Sequence, residues 1–157
     1  MYRLVAPAAA LAGVLPQTAG PIADLGSGAG IPGLPLALVR PTAQVTLVDS
    51  RERRHFFQRE AIRLLGLADR VEGRRQRVET APPRPFQLVV SQAMASPEQA
   101  LAWMRPWAAP GGFLALPVKN PGDAPRAPEG LRHMERIAYR LPGDATERWV
   151  WIARVGP

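Results

Sequence analysis

Two acids and a run of glycines are the residues of this chain whose types and spacing suit binding chemistry. Asp24 is followed by glycine at every second position, Gly26, Gly28 and Gly30, and Asp49 closes the later apolar run Val45-Thr46-Leu47-Val48. Glycines so placed permit positive φ and carry no side chain that would hold a ligand away, so backbone N–H groups can face it. Ile22 to Leu36 therefore reads as a strand, a tight turn and the start of a helix, with a nucleotide-like ligand at the turn. Metal and disulfide chemistry lack comparable support. The chain has no cysteine and only two histidines, His55 and His133, so no metal site is assigned.

The elements needed to hold that turn follow an alternating pattern. Strands are predicted over Ile22 to Leu25, Gln44 to Val48, Arg70 to Gly73, Phe86 to Ser91 and Phe113 to Val118. Helices are predicted over Gly33 to Val39, over Arg51 to Leu65, and from Pro97 through Leu101, Trp103 and Met104. In the second of these, Phe57, Ala61, Leu64 and Leu65 are placed against the sheet, and Gly66 ends the helix. The proline-rich stretch Arg74 to Pro85 leaves room for an extended crossover or one helical turn. Pro110-Gly111-Gly112 reads as a turn into the fifth strand and Lys119 to Gly130 as an exposed loop. Two final strands, Met134 to Leu141 and Arg148 to Val155, flank Pro142-Gly143-Asp144 as an antiparallel hairpin. Residues 1–20 form a lead-in with a short helix over Ala8 to Val14, Pro7 at its first turn, and residues 21–157 form one domain. The fold class is α/β, Rossmann-like, with a mostly parallel seven-stranded sheet ending in that hairpin.

A chain of 157 residues with 46% hydrophobic and 21% charged residues suits one globular domain with its own core and no membrane span. Met1 to Leu15 is apolar and carries Arg3, but Pro7 interrupts it and the basic segment is a single residue, so it is not read as a secretory signal. The net charge of +7 comes almost entirely from arginine, since Lys119 is the only lysine. Arginine binds phosphate through a planar fork and stacks on bases, which suits an RNA partner; a genome rich in arginine, proline and alanine codons gives the same balance. The RNA-binding candidates are Arg51, Arg53, Arg54 and His55 at the start of the long helix, Arg74, Arg75 and Arg77 after the third strand, and Lys119 with Arg126 in the late loop. Trp103, Trp107, Trp149 and Trp151 are read as packing residues ahead of base-stacking ones.

Two signatures overlap in the turn. Gly28-Ala29-Gly30-Ile31-Pro32-Gly33 is a literal G-x-G-x-x-G, the dinucleotide fingerprint, with Asp49 as its ribose acid. Asp24-Leu25-Gly26-Ser27-Gly28-Ala29-Gly30 instead resembles motif I of the S-adenosylmethionine-dependent methyltransferases. There the turn passes the cofactor's methionine and ribose, and an acid ending the second strand binds the ribose hydroxyls; Asp49 matches that acid. The terminal hairpin, and a length without room for a separate substrate domain, favour the second signature.

The motifs narrow the resemblance. Asp24 to Pro35, Leu47-Val48-Asp49-Ser50, Arg77-Val78-Glu79, Val89-Val90-Ser91 with Ala93 and Ala95, Gly111-Gly112-Phe113 and Glu147-Arg148 together resemble the glucose-inhibited division protein B family. Its members are bacterial methyltransferases that modify N7 of one guanine in 16S ribosomal RNA. The resemblance runs from Pro21 to Val155. It implies a class I S-adenosylmethionine-dependent methyltransferase fold, S-adenosyl-L-methionine as cofactor, ribosomal RNA or a small-subunit assembly intermediate as partner, and a cytoplasmic location. It places the cofactor against Asp24, Gly26, Ser27, Gly28, Gly30, Ile31, Asp49, Ser50, Val78, Glu79, Ser91 and Gln92. Each has a plainer reading: Ile31 and Val78 as core, Glu79 as an ion-pair partner of Arg74 or Arg75, Asp24 as a brace for the turn.

Departures from the family cluster on one side. A shorter stretch precedes Ile22 than in the family, Ser91-Gln92-Ala93 stands where the family has Ser-Arg-Ala, Gln87 replaces an acid, and Lys119 is displaced beyond Pro117. The resemblance implies that these positions touch the side where RNA and the reacting base would bind. A binding module that keeps the fold without transferring methyl is therefore an alternative reading, and a nicotinamide-binding protein a third. Guanine N7 carries a lone pair and no proton, so the implied reaction needs positioning and water exclusion in place of a base or nucleophile. Ser91-Gln92-Ala93-Met94 stands where amino-group methyltransferases carry an Asn-Pro-Pro-Tyr-like motif, which argues against exocyclic amines.

Overall fold

Short apolar runs separated by glycine, proline and charge form seven strands: β1 (Ile22–Leu25), β2 (Val45–Asp49), β3 (Val71–Arg75), β4 (Phe86–Ser91), β5 (Ala108–Val118), β6 (Leu131–Tyr139) and β7 (Arg148–Val155). The helices are α1 (Tyr2–Val14), α2 (Gly33–Val39), α3 (Glu52–Leu64) and α4 (Pro97–Met104). The structure is a computed structural model that describes residues 2–80, 82, 84–92, 94–123, 125, 129–141 and 143–157.

The strands form one sheet in the order β3-β2-β1-β4-β5-β7-β6. Neighbours from β3 to β5 run parallel, and β7 pairs antiparallel with both β5 and β6. From β1 the chain winds outward through β2 and β3, then returns to the other side of β1 as β4. The gap between the carboxyl ends of β1 and β4 is thus a topological switch point, where open parallel sheets bind ligands. Register brings those ends level: Leu25 pairs with Val48 on one side and with Ser91 on the other.

Alternation along the strands builds two apolar layers. Ile22, Leu47, Leu88, Val90 and Ile152 face one cluster, with Leu11 of α1, Leu15 just beyond it, Leu36 of α2 and Ile62 of α3. Ala23, Leu25, Val89, Leu114 and Trp151 face the other, with Leu101 and Met104 of α4 and the fully buried Trp107. Burying each large side chain contributes about 1.5–3 kcal/mol. The lead-in segment is therefore an integral layer of the fold. Arg40 fastens it: Nη1 donates to the Pro16 carbonyl at 3.0 Å, and Nη2 donates to the Ala12 and Leu15 carbonyls at 2.7 Å each. These carbonyls lie in and just beyond the last turn of α1, where helices leave acceptors unpaired.

Four expectations need correction. α1 starts at Tyr2 and carries Pro7 inside it. β5 starts at Ala108, because Pro110-Gly111-Gly112 is absorbed as an irregularity in its pairing with β4 and does not make a separate turn. β6 spans Leu131–Tyr139, and its register with β7 shifts between Arg132 and Glu135, with His133 at φ 49°. The fourth concerns α3. Phe57, Leu64 and Leu65 are 53%, 69% and 45% exposed, whereas Gln58 is fully buried and Ile62 nearly so. The inward stripe is rotated from the apolar one because the Gln58 amide serves the glycine turn.

Candidate cofactor and acceptor site

The glycine turn continues from β1 and is tied to the end of β2. Ser27 donates its N–H to the Val48 carbonyl at 3.0 Å, and Gly30 and Ile31 return theirs to the Ser27 carbonyl at 2.8 and 3.1 Å. Gly26 and Gly28 both have positive φ, 68° and 56°. A Cβ on Gly26 would meet Met94 at 2.9 Å, and one on Gly28 would stand 3.3 Å from Arg54 Nη1, so side chains here would be strained and would crowd the turn's open face.

Beneath the turn sit polar groups that shape it. Gln58 Nε2 donates to Ser27 Oγ at 2.9 Å and to the Gly28 carbonyl at 2.7 Å. Nothing in the sequence marks Gln58, which shares its i, i+4 spacing with Ile62 as any apolar pair would. Asp24 is fully buried on the α2 side of β1, where Oδ2 accepts the Gly33 N–H at 2.8 Å and Oδ1 has no partner. Burial pushes its carboxyl from 3.8 up to about 7; the Gly33 N–H opposes the rise and the Asp49 charge adds to it. Ser91 Oγ donates to the Leu25 carbonyl at 2.9 Å, locking β4 to β1.

Asp49 ends β2 facing the turn and is 5% exposed. Oδ2 accepts the Gly28 N–H at 3.0 Å and Arg54 Nη1 at 3.3 Å, while Oδ1 accepts the Arg51 N–H at 2.9 Å. Two clefts flank the glycine turn, and Asp49 lines the first. The first, of about 280 Å³, is lined by Gly26, Asp49, Ser50, Val78, Glu79 and Trp103, among others. Trp107 holds its far wall, donating Nε1–H to the Val78 carbonyl at 2.8 Å while stacking on Phe86 with centroids 5.8 Å apart. The second, of about 530 Å³, lies across the turn against Gly28, Ile31, Arg53, Phe57 and Gln92. Gly26 and Arg54 border both. A further hollow of about 410 Å³ lies at the opposite, amino-terminal ends of the strands and has neither the turn nor the acid.

The sequence-derived residues thus separate. Gly26, Asp49, Ser50, Val78 and Glu79 meet in the first cleft, and Ser27, Gly28, Ile31 and Gln92 line the second. Asp24, Gly30 and Ser91 are buried under the turn and line neither cleft, and each hydrogen-bonds to nearby backbone. Among the basic candidates, Arg53 and Arg54 line the second cleft, and Arg51, Arg54 and Arg77 line the first. Arg51 is exposed and also gives its backbone N–H to Asp49, His55 is half-buried, and Lys119 is exposed. Arg74 pairs with Glu72 at 2.5 Å and Arg75 with Glu52 at 3.0 Å, so neither pairs with Glu79 as the sequence suggested. Arg126 and Ala93 lie outside the described residues. Sequence reasoning missed Gln58, Met94 and the placing of Trp103 at the cleft. Among the described residues no cluster of acids and histidines is arranged to hold a metal, and no helix is long and apolar enough to cross a membrane.

The arrangement suits an adenosyl sulfonium ligand. The first cleft offers a buried carboxylate for a vicinal diol, a half-buried apolar wall at Val78 beside a Glu for an adenine, and a side-chain-free turn for the remainder.

Comparison with known proteins points the same way. Residues 2–124 match the family model for rRNA small subunit methyltransferase G. A curated protein of that name from Frankia casuarinae is 35% identical over 160 residues, covering 98% of this chain and 56% of its own. One from Kineococcus radiotolerans is 43% identical over 116 residues, covering 72% of this chain and 46% of its own. The chain thus spans about half the length of these curated relatives. Among solved structures, the S-adenosylmethionine-dependent methyltransferase SibL superposes with a TM-score of 0.75 over 99% of this chain and 55% of its own, at 20% identity, which shows the shared fold.

Proposed function

Because this chain belongs to the rRNA small subunit methyltransferase G family, we propose that it binds S-adenosyl-L-methionine in the first cleft and methylates small-subunit ribosomal RNA presented at the second. The finer reading is transfer to guanine N7. The observation that carries the proposal is Asp49, a buried carboxylate at the end of β2 directed at the glycine turn, in one cleft with Gly26, Ser50, Val78 and Glu79. Membership of a methyltransferase family, with a second acid and glycines fitted to its motif I, sets aside the nicotinamide reading.

The cofactor supplies a methyl group on a sulfonium, whose sulfur leaves as a neutral thioether. Guanine N7 supplies the lone pair and loses no proton. The protein's residues therefore need only bind, orient and exclude water. Asp49 holds the diol, the Trp107-supported Val78 and Glu79 flank the base of the donor, and the Gln58-braced turn fixes the backbone between the two clefts. Phe57 and Arg53 offer an aromatic face and a cation, the pairing that receives an unstacked base and its phosphate.

Calorimetric titration with S-adenosylmethionine tests the first half of the proposal, with micromolar binding expected. Incubation with unmodified 16S ribosomal RNA and methyl-labelled cofactor tests the second, with label mapping to 7-methylguanine. Binding without transfer returns the chain to the binding-module reading; no binding overturns the proposal.

A further inference from the structure

The Asp49 carboxylate has about four lone-pair sites. Three of them already accept donors: the Gly28 N–H, the Arg51 N–H and Arg54 Nη1. A vicinal diol brings two donors, so one occupant must leave. The two backbone donors are fixed by the glycine turn and by the entry to α3. Arg54 is the one held on a rotatable side chain, through a single 3.3 Å contact, with 45% of that side chain exposed. A long contact to a half-exposed side chain is the one of the three that gives way most readily.

Arg54 also borders the second cleft, beside Arg53, Phe57 and Gln92. Resting on Asp49, its charge is largely spent on the carboxylate. Turned away, it presents that charge in the second cleft next to Arg53. We infer that Arg54 is a coupling residue: binding of the cofactor's ribose to Asp49 releases Arg54 into the second cleft, where it engages a phosphate of the RNA acceptor. Donor and acceptor binding are then cooperative through one side chain, and the inference rests on the proposed placement of the ribose at Asp49. By linkage the effect is reciprocal, so RNA that holds Arg54 in the second cleft tightens cofactor binding by the same factor.

S-adenosylhomocysteine, which lacks the methyl group and so permits no turnover, serves as the probe. Its affinity is measured by calorimetry, and that of unmodified 16S ribosomal RNA by fluorescence anisotropy over a salt series. In the unaltered chain, S-adenosylhomocysteine should tighten RNA binding about fivefold or more. It should also steepen the dependence of log affinity on log salt by about 0.7–0.9, the increment of one added phosphate contact. In Arg54→Gln both increments should vanish, while S-adenosylhomocysteine binds at least as tightly as before because nothing competes for Asp49. Arg53→Gln should weaken RNA binding in both states and leave the coupling intact. Coupling retained in Arg54→Gln, or a salt slope in the unaltered chain that ignores S-adenosylhomocysteine, overturns the inference alone. Weaker S-adenosylhomocysteine binding in Arg54→Gln also overturns it, since Arg54 would then hold the cofactor directly. Failure of the unaltered chain to bind S-adenosylhomocysteine overturns the reading of the first cleft, and the inference with it.

Discussion

Gly33 donates its backbone N–H to Oδ2 of Asp24 at 2.8 Å, tying the first residue of α2 to the strand that precedes the glycine turn. The acid of the motif therefore works on the protein's own backbone, and a Cβ on Gly33 would run into that carboxylate and into Leu47.

Asp24 makes stability fall toward neutral pH. Its native carboxyl is raised from 3.8 to about 7, so between those values the folded chain keeps a proton that the unfolded chain has released. Stability then declines as pH rises through that window, by up to about 1.4 kcal/mol per unit, and levels off above it. Asp24→Asn should flatten this part of the profile. Urea unfolding of both proteins at pH 5 and pH 8 checks it, and identical trends would sink the assignment.

Replacing Asp49 should separate binding from folding. In Asp49→Asn the side-chain carbonyl still accepts one backbone N–H but has lost the charge and half the acceptor sites. S-adenosylhomocysteine affinity should fall about ten- to a hundredfold, which is about 1.4–2.7 kcal/mol. Calorimetry reads the loss, and thermal unfolding should move less than the binding does.

Gln58 is a positioning residue for the turn. Gln58→Leu fills similar space but leaves the buried Ser27 hydroxyl and Gly28 carbonyl without their donor, at a cost of about 1–3 kcal/mol in stability. A loosened turn should raise the KM for the cofactor more than it lowers kcat. An unchanged KM beside a lowered stability would reduce Gln58 to a core residue.

Arg40 can be tested by where the fold opens first. Arg40→Gln removes charge-assisted hydrogen bonds to the end of α1 and should cost about 2 kcal/mol. Hydrogen exchange should accelerate in α1 before it does in β1 or β4.

Much of the scaffold was legible. β1, α2 and β4 have the limits that their apolar runs, glycines and prolines implied, because each is short, buried and bounded by residues that terminate it. The grouping in the first cleft was legible too: the family resemblance named Ser50 and Val78 beside Asp49, and the parallel strand order brings these strand ends together. The face of α3 was not. Two stripes fit a helical period, and choosing between them requires knowing that a polar side chain, Gln58, has partners waiting under the turn. The same blindness hid the role of Ser91, while Asp24 as a brace was one of two readings that the sequence left open. An acid or hydroxyl beside a glycine turn looks like a ligand contact until its hydrogen bonds are traced to backbone.

The register shift in β6 has a bearing on how the molecule meets its own kind. β6 is an outer strand, and an outer strand's unpaired N–H and C=O groups are a template on which another chain can add. Here the backbone bends at His133, and Arg132 through Arg136 all stand exposed, carrying alternating charge around the kink. A stranger strand would find neither a straight ladder nor a dry surface, so the sheet is built to stop at its own last strand.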